Sequence, residues 1–578
     1  MAVYRADQAQ VTFMTEPAAG GYVEQAPKDT AKTGSGADTD LDGNHEAGST
    51  SLTVTDSTGF SVGDAILIGY WHDSTTATNE NEIRQIEHIT GNVIYLSAPT
   101  AFYHADGGGT DNVFEVTPTT ANLQDADSQY INLIPGAYET VDVPDPEMAI
   151  EGRWFLGTTS KRAFYAAYSG QQTYAGSIGG FALLDGKALR YPIGKVYSTT
   201  TFTNDVTAMK RTFATALKKG DLYVTLAAAS GDAAIAITTK VMFGRGSETS
   251  EIRQSTSVLA TNTAGTIRLD YPLQFDHAAG DMHVIGTAAS NTTIATTQTI
   301  PYTHSIKETV DLDSVSWHVH MLPSDETRAN AFDRRYYGGK IGSMTISGEE
   351  GGMVTASWDG VNFLGMIHNQ KTVDLSTDIT TPFFADMQSI INSKVDFPTN
   401  EPYYFSQGEV TMFGQTIARI RSFSLSISNN EEPRYYIKKQ MGRKRGPTEI
   451  REQRREYSLA VTLALPDAAA ANTAQRTLFQ EMLLEGNYGS ATDFIRTGKK
   501  GFDVLLTLTR GNVVSGFEDK ITITIPDDGA AATGGNQQGA FIRTAPHNIT
   551  EDNPFQVEAD ILFRNLSITV QDAEHYYP

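Results

Sequence analysis

Asp38-Thr39-Asp40-Leu41-Asp42-Gly43 sets three carboxylates at alternate positions ahead of a glycine. Alternate acidic side chains can converge on one hard cation, and glycine permits the sharp turn of such a loop. Asp38, Asp40 and Asp42 are therefore candidate calcium ligands. The twelfth position is Ser49 rather than a bidentate Glu, and the competing reading is a solvated acidic linker. His318 and His320 lie two apart in a segment that reads as a strand, so their imidazoles share a face, a spacing zinc can use. No third ligand accompanies them, and packing or surface histidines show the same spacing. His104 and His277 sit at matching places in an internal repeat, which points to a shared structural job such as tying down a turn.

The densest cluster of one chemical kind is basic. Lys438, Lys439, Arg443, Lys444, Arg445, Arg451, Arg454 and Arg455 fall in one connection, Asn429 to Glu456. Between Arg434 and Arg455 nine Lys or Arg meet two Glu, a local charge of +7, so with -24 for the whole chain the remainder carries -31. A nucleic-acid site would want interleaved aromatics, and only Tyr435 and Tyr436 are near. The cluster reads instead as a clamp onto the acidic surface of a neighbouring protein. Exposed ion pairs contribute roughly 0–1 kcal/mol each, so such a clamp works only as a repeated network. There is no P-loop, nucleophile elbow, HExxH or dinucleotide fingerprint, and the expectation is a protein that is not an enzyme.

These residues need elements to hold them, and composition favours strands. The chain has 578 residues, 40% hydrophobic and only 19% charged, with Gly, Ser, Thr and Ala plentiful. Zero cysteines exclude disulfides, thiolate metal sites and a cysteine nucleophile. The start, MAVYRADQAQ, has neither a basic opening nor an apolar run, so no signal peptide is expected. No apolar stretch approaches the ~20 residues of a membrane span. A soluble product made in the cytoplasm, with no membrane partner and no cofactor beyond the calcium candidate, is expected.

Phe423, Leu425 and Ile427 alternate with Ser422, Ser424, Ser426 and Ser428, and Tyr457, Leu459, Val461, Leu463 and Leu465 alternate likewise. Period two puts apolar residues on one sheet face and small polar ones on the other. The long connection between these strands far exceeds a hairpin's need. Further strands are expected at Ile341–Ile346, Met353–Trp358, Val504–Thr509, Ile521–Ile525 and Val557–Phe563. One helix is expected after Asp467, with Ala474, Leu478, Phe479, Met482 and Leu483 as its stripe and Gly486 as its stop.

Two segments repeat. Glu82-Ile83-Arg84-Gln85, Ile94, Leu96, Pro99, Phe102, His104, Ala105 and Gly107 match Glu251-Ile252-Arg253-Gln254, Ile267, Leu269, Pro272, Phe275, His277, Ala278 and Gly280. They are read as copies of one β-module of three to five strands, at about 47–117 and 213–290. Residues 1–46, 118–212 and 291–578 then form one discontinuous body, with the modules at loop tips and facing outward.

The body contains, in order, Val11-Thr12-Phe13-Met14-Thr15-Glu16-Pro17 with Gly20-Gly21-Tyr22, then Tyr337-Gly338-Gly339-Lys340-Ile341 and Ser343 to Gly352, Pro402-Tyr403-Tyr404-Phe405, the strand Arg421 to Ser428 with Asn429-Asn430, and Arg434-Tyr435-Tyr436-Ile437 and Glu456-Tyr457-Ser458-Leu459. With these pieces the body resembles the tail tube proteins of long-tailed, siphovirus-like viruses of bacteria or archaea. The order of these pieces, more than any one, makes the resemblance. It implies a mainly β sandwich or barrel with one packed α-helix and long hairpins. Six copies would form a ring, and rings would stack into a tube through which viral DNA passes without specific binding. Tape-measure and tail-end proteins would be further partners, and the virion tail the location. Long hairpins and the N-terminal arm would bridge subunits. A reading of a different class is a multivalent carbohydrate-binding or adhesin-like surface protein, since repeated modules raise avidity.

Overall fold

The computed structural model describes residues 4–21, 37–69, 82–106, 112–116, 132–144, 147–153, 166–203, 206, 209–286, 299–323, 332–368, 395–396, 400–412, 415–417, 420–436, 446–464, 502–527, 539–544, 547–548 and 556–574. The chain is mainly β. Ile420–Ser428 pairs antiparallel with Glu456–Ala464, setting Phe423 opposite Val461, Leu425 opposite Leu459 and Ile427 opposite Tyr457. All six are buried, so the alternation does select the core face. Each such side chain contributes roughly 1.5–3 kcal/mol when fully removed from water.

That pair belongs to a 14-stranded sheet whose central path runs through Tyr4–Thr15, Val315–Pro323, Phe332–Glu349, Ile420–Ser428, Glu456–Ala464 and Gln556–Leu562. A 7-stranded sheet, from Gly194–Thr199 through Tyr302–Glu308, Ser567–Asp572, Phe517–Ile525 and Val504–Val514 to Gly408–Met412 and Gln415–Ile417, supplies the other layer. Leu506, Ile523 and Ile568 of this second sheet share one hydrophobic core with Phe423, Leu459 and Ile561 of the first. Two sheets joined by one core make a sandwich. Among the described residues helix is confined to the 3₁₀ turns Lys187–Leu189 and Phe405–Gln407 and to Met209. The helix expected after Asp467 lies outside the described residues. None of the described helices is long and apolar enough to cross a membrane.

Phe332–Glu349 is the hub strand. Its first half pairs with Val315–Pro323 and its second with Thr355–Asn362 and Ile420–Ser428. The change of partners falls at Gly338, whose φ is +66°, where the register with Val315–Pro323 slips between Val315 and Trp317. A Cβ at Gly338 would meet the Leu364 side chain at 2.5 Å. A bulge needing positive φ and close approach accounts for the Gly-Gly pair in mid-strand.

The repeat is a structural duplication. In the first module the strands run in the order Asp38–Asp40, Asn112–Val116, Ala65–Gly69, Glu82–Thr90, Val93–Leu96, Ser51–Thr53. In the second, Lys210–Phe213, Gly280–Val284, Lys240–Phe243 and Glu251–Gln254 follow the same order. The pair Tyr223–Leu226 and Gly265–Arg268 then completes it through a bridge from Ser255 to Leu269. Each module therefore has six strands rather than three to five. The first begins before residue 47, because Asp38–Asp40 pairs with Asn112–Val116.

The modules are docked into the molecule rather than carried on loop tips. The second module shares the body's core, and Ser198 and Ser250 exchange hydrogen bonds of 2.9 Å (Ser198 N to Ser250 O) and 2.6 Å (Ser250 Oγ to Ser198 O). The first keeps its own core of Leu52, Val54, Ile66, Ile68, Ile94 and neighbours, yet lies between the N-terminal segment and the second module. A Cβ on Gly21 would strike Thr100 O at 2.3 Å, and one on Gly220 would come 2.9 Å from Ala47 Cβ. Packing this close leaves no space for a side chain at either glycine.

Candidate functional site

Each module holds a fully buried Glu–Arg–His cluster, built by two residues of one strand and a turn beyond the next. Glu82 Oε1 lies 2.8 Å from His104 Nε2 and Glu82 Oε2 lies 2.6 Å from Arg84 Nη2. The same carboxylate accepts the backbone N–H of Ala101 at 2.8 Å and of Phe102 at 3.2 Å. In the second module Glu251 meets His277 at 2.7 Å, Arg253 at 2.6 Å, and the N–H groups of Gln274 at 2.9 Å and Phe275 at 3.2 Å. Arg84 Nε and Arg253 Nε donate to the carbonyls of Pro99 and Pro272. Burial pushes both glutamates up, but the arginine, the histidine and the turn N–H groups outweigh it and hold them below the ordinary carboxylate range. The side chains are at most 4% exposed, so no ligand reaches them. They lock the turns Pro99–His104 and Pro272–His277, the surfaces through which the modules dock. The repeated histidines do tie down a turn.

The base of the basic connection is a second, smaller ribbon, Glu432–Arg434 against Glu449–Arg451. Asn429 anchors it, its amide donating to Ile341 O at 2.9 Å and Pro192 O at 3.1 Å. Lys438, Lys439, Arg443, Lys444 and Arg445 lie outside the described residues. Arg451 is 65% exposed and touches Glu449, and Arg454 is exposed. Arg455 is not available to a neighbour: it donates to Asn429 Oδ1 and Ile193 O and pairs with Glu308 at 3.2 Å. Alternation could not reveal this, since Glu308 is brought in by a strand of the other sheet.

The open face of the larger sheet carries hydroxyls in register. Ser357, Thr345, Ser426 and Ser458 form one row across four strands, and Thr355, Ser347, Ser424 and Ala460 the next. Asp359, Glu349 and Glu456 occupy other positions on these strands' outward side, and Glu558 lies opposite Thr462 on the next strand, Gln556–Leu562. At the margins Arg421 pairs with Glu350 and Arg543 with Asp560. The corresponding face of the smaller sheet instead carries Lys195, Lys307 and Lys520. Four strands span about 15–20 Å, so the larger sheet offers a broad, flat, neutral-to-acidic surface.

Asp38 and Asp40 are exposed residues of a strand, and Asp42 follows it. Side chains two apart on a strand are roughly 6.5–7 Å apart and do not converge as in a loop. Among the described residues no group of three or more His, Cys, Asp or Glu could hold a metal ion. His318 is buried beside Arg335, its cross-strand partner; burial and that guanidinium hold its imidazole well below its ordinary pKa, hence neutral.

Sequence reasoning missed one constellation. Ser198 Oγ is 2.8 Å from His304 Nδ1, and His304 Nε2 is 2.7 Å from Glu574 O and 3.4 Å from Asp572 Oδ1. A carbonyl only accepts, so Nε2 carries a hydrogen, and Nδ1 shares a hydrogen bond with Ser198. The residue types match a nucleophilic triad, but all three are buried, and the network pins the segment through Glu574 to the sheet. The three positions are scattered through the chain, so no local signal could have found it.

No protein-family model matches the chain, and no curated protein matches it in sequence.

Proposed function

We propose that this chain is a structural, self-assembling subunit of the tail-tube kind, forming stacked rings around a conduit for viral DNA in a virion tail. The observation that carries the reading is the hydroxyl-rich face of the larger sheet, whose rows contain no Lys or Arg. Phosphate binding rests on cations and the release of counterions. A wall of Ser and Thr edged by carboxylates would let a polyanion slide past without adhering. The protein's charge asymmetry supports head-to-tail growth, because stacking that does not close on itself needs two unlike complementary surfaces. The exposed Arg451 and Arg454, continuous with the basic run to their N-terminal side, would face the acidic body of the next copy. On this reading the buried clusters are structural and no catalysis is expected.

Negative-stain electron microscopy of the concentrated protein tests the proposal. Hollow tubes or stacked rings are the expected result. Deleting Gln440 to Glu449 should abolish them while leaving a folded monomer. Dispersed monomers at every concentration would overturn the reading, and glycan binding by those monomers would favour the adhesin-like alternative.

A further inference from the structure

We propose that the root of the basic hairpin contains a single proton-binding site, Glu431, and that loss of its proton loosens the hairpin from the sandwich. Glu431 follows Asn430, which turns the chain at φ +47°, and stands at the junction where the hairpin leaves the sheet. Neither of its carboxyl oxygens is exposed or makes a close hydrogen bond. The groups around it come from three directions. Lys340 belongs to the hub strand, Asn362 to its neighbour, and Glu452 and Arg455 to the returning arm of the hairpin. The two cations are already committed: Lys340 Nζ lies 2.7 Å from Glu452 Oε1, and Arg455 Nη1 lies 3.2 Å from Glu308 Oε1.

Charge counting at the junction, with Glu308 (34% exposed) included, favours the neutral form of the fifth group. Glu308 and Glu452 balance Lys340 and Arg455 one for one. An ionised Glu431 would leave an uncompensated negative charge in a buried place, which is the costly arrangement. A proton removes it. Burial and the facing Glu452 accordingly raise the Glu431 carboxyl to about 8, against the opposing pull of Lys340, Asn362 and Arg455. Glu452 also accepts from Leu312 N at 3.0 Å, so it is the tether between hairpin and body. Ionised Glu431 would compete with Glu452 for Lys340 and repel it, and the tether is the contact that gives way.

The sign follows from linkage. A carboxyl that keeps its proton in the folded state to higher pH than in the unfolded state costs stability as pH rises from the ordinary carboxylate range to about 8, and nothing further above that. Glu431→Gln imitates the protonated form and should remove the dependence.

The test uses the full chain as a monomer, so its outcome is independent of whether tubes form. Infrared difference spectra between wild type and E431Q should show a protonated carboxyl at pH 6.5 that disappears as pH rises through about 8. Hydrogen exchange at 446–456, corrected for intrinsic rates, should quicken at least tenfold in wild type from pH 6.5 to 9.5, and less than twofold in E431Q. A missing protonated carboxyl at pH 6.5 would overturn the site. The same exchange response in E431Q and wild type would overturn the hinge.

Discussion

Replacing Glu251 with Gln probes the buried cluster most directly. The carboxylate receives four hydrogen bonds, from Arg253, His277, Gln274 N and Phe275 N, at 2.6 to 3.2 Å. The neutral amide keeps the shape, but its NH₂ cannot accept from the donors it faces, and it leaves Arg253, 1% exposed, without its counter-ion. Breaking a buried pair by removing one partner costs about 3–5 kcal/mol, whereas removing the His277 contact alone should cost about 1–3 kcal/mol. The order E251Q worse than H277Q is therefore expected. Urea unfolding with hydrogen exchange at 265–284 as the local readout measures it. The loss should also be pH-dependent. Glu251 is held below its ordinary range, so its contribution is complete above the unfolded-state value and fades as pH falls through the folded one. Wild type and E251Q should thus converge in acid. An E251Q protein within 0.5 kcal/mol of wild type at pH 7, about the noise of a neutral surface change, would refute the view that this cluster holds the turn.

Three further substitutions test the duplication and its docking. Thr238 sits at φ +73° where the first module has Gly63 at +98°, and β-branched residues are strained there. Thr238→Gly should stabilise by about 1 kcal/mol and Gly63→Thr should destabilise by about 1–3 kcal/mol in thermal unfolding. Gly220→Val adds a side chain at φ +95° whose Cβ would lie 2.9 Å from Ala47 and 3.3 Å from the Ala101 carbonyl; faster proteolysis across both modules is expected, and unchanged proteolysis would show that the modules do not depend on this contact.

The sequence alone determined the β character of the chain, the pairing partners in its strongest alternations and the existence of a duplicated unit. Those properties are local or periodic. Ser422 to Ser428 can put only one set of side chains into a core, and Glu82, Arg84 and His104 recur with their spacing nearly intact in Glu251, Arg253 and His277. Period two also supplied the hydroxyl face, as the complement of the buried residues. Tertiary structure decided what those groups touch. Arg455 looked like one more basic residue of a clamp until Glu308 arrived from another sheet. Ser198, His304 and Asp572 are joined only by strand pairing. The modules looked like loop-tip insertions, yet Gly21 and Gly220 mark where chain segments press together. Contacts between residues hundreds of positions apart leave no periodic trace, because each side needs only a small residue, a charge or a carbonyl that many other positions could offer equally well.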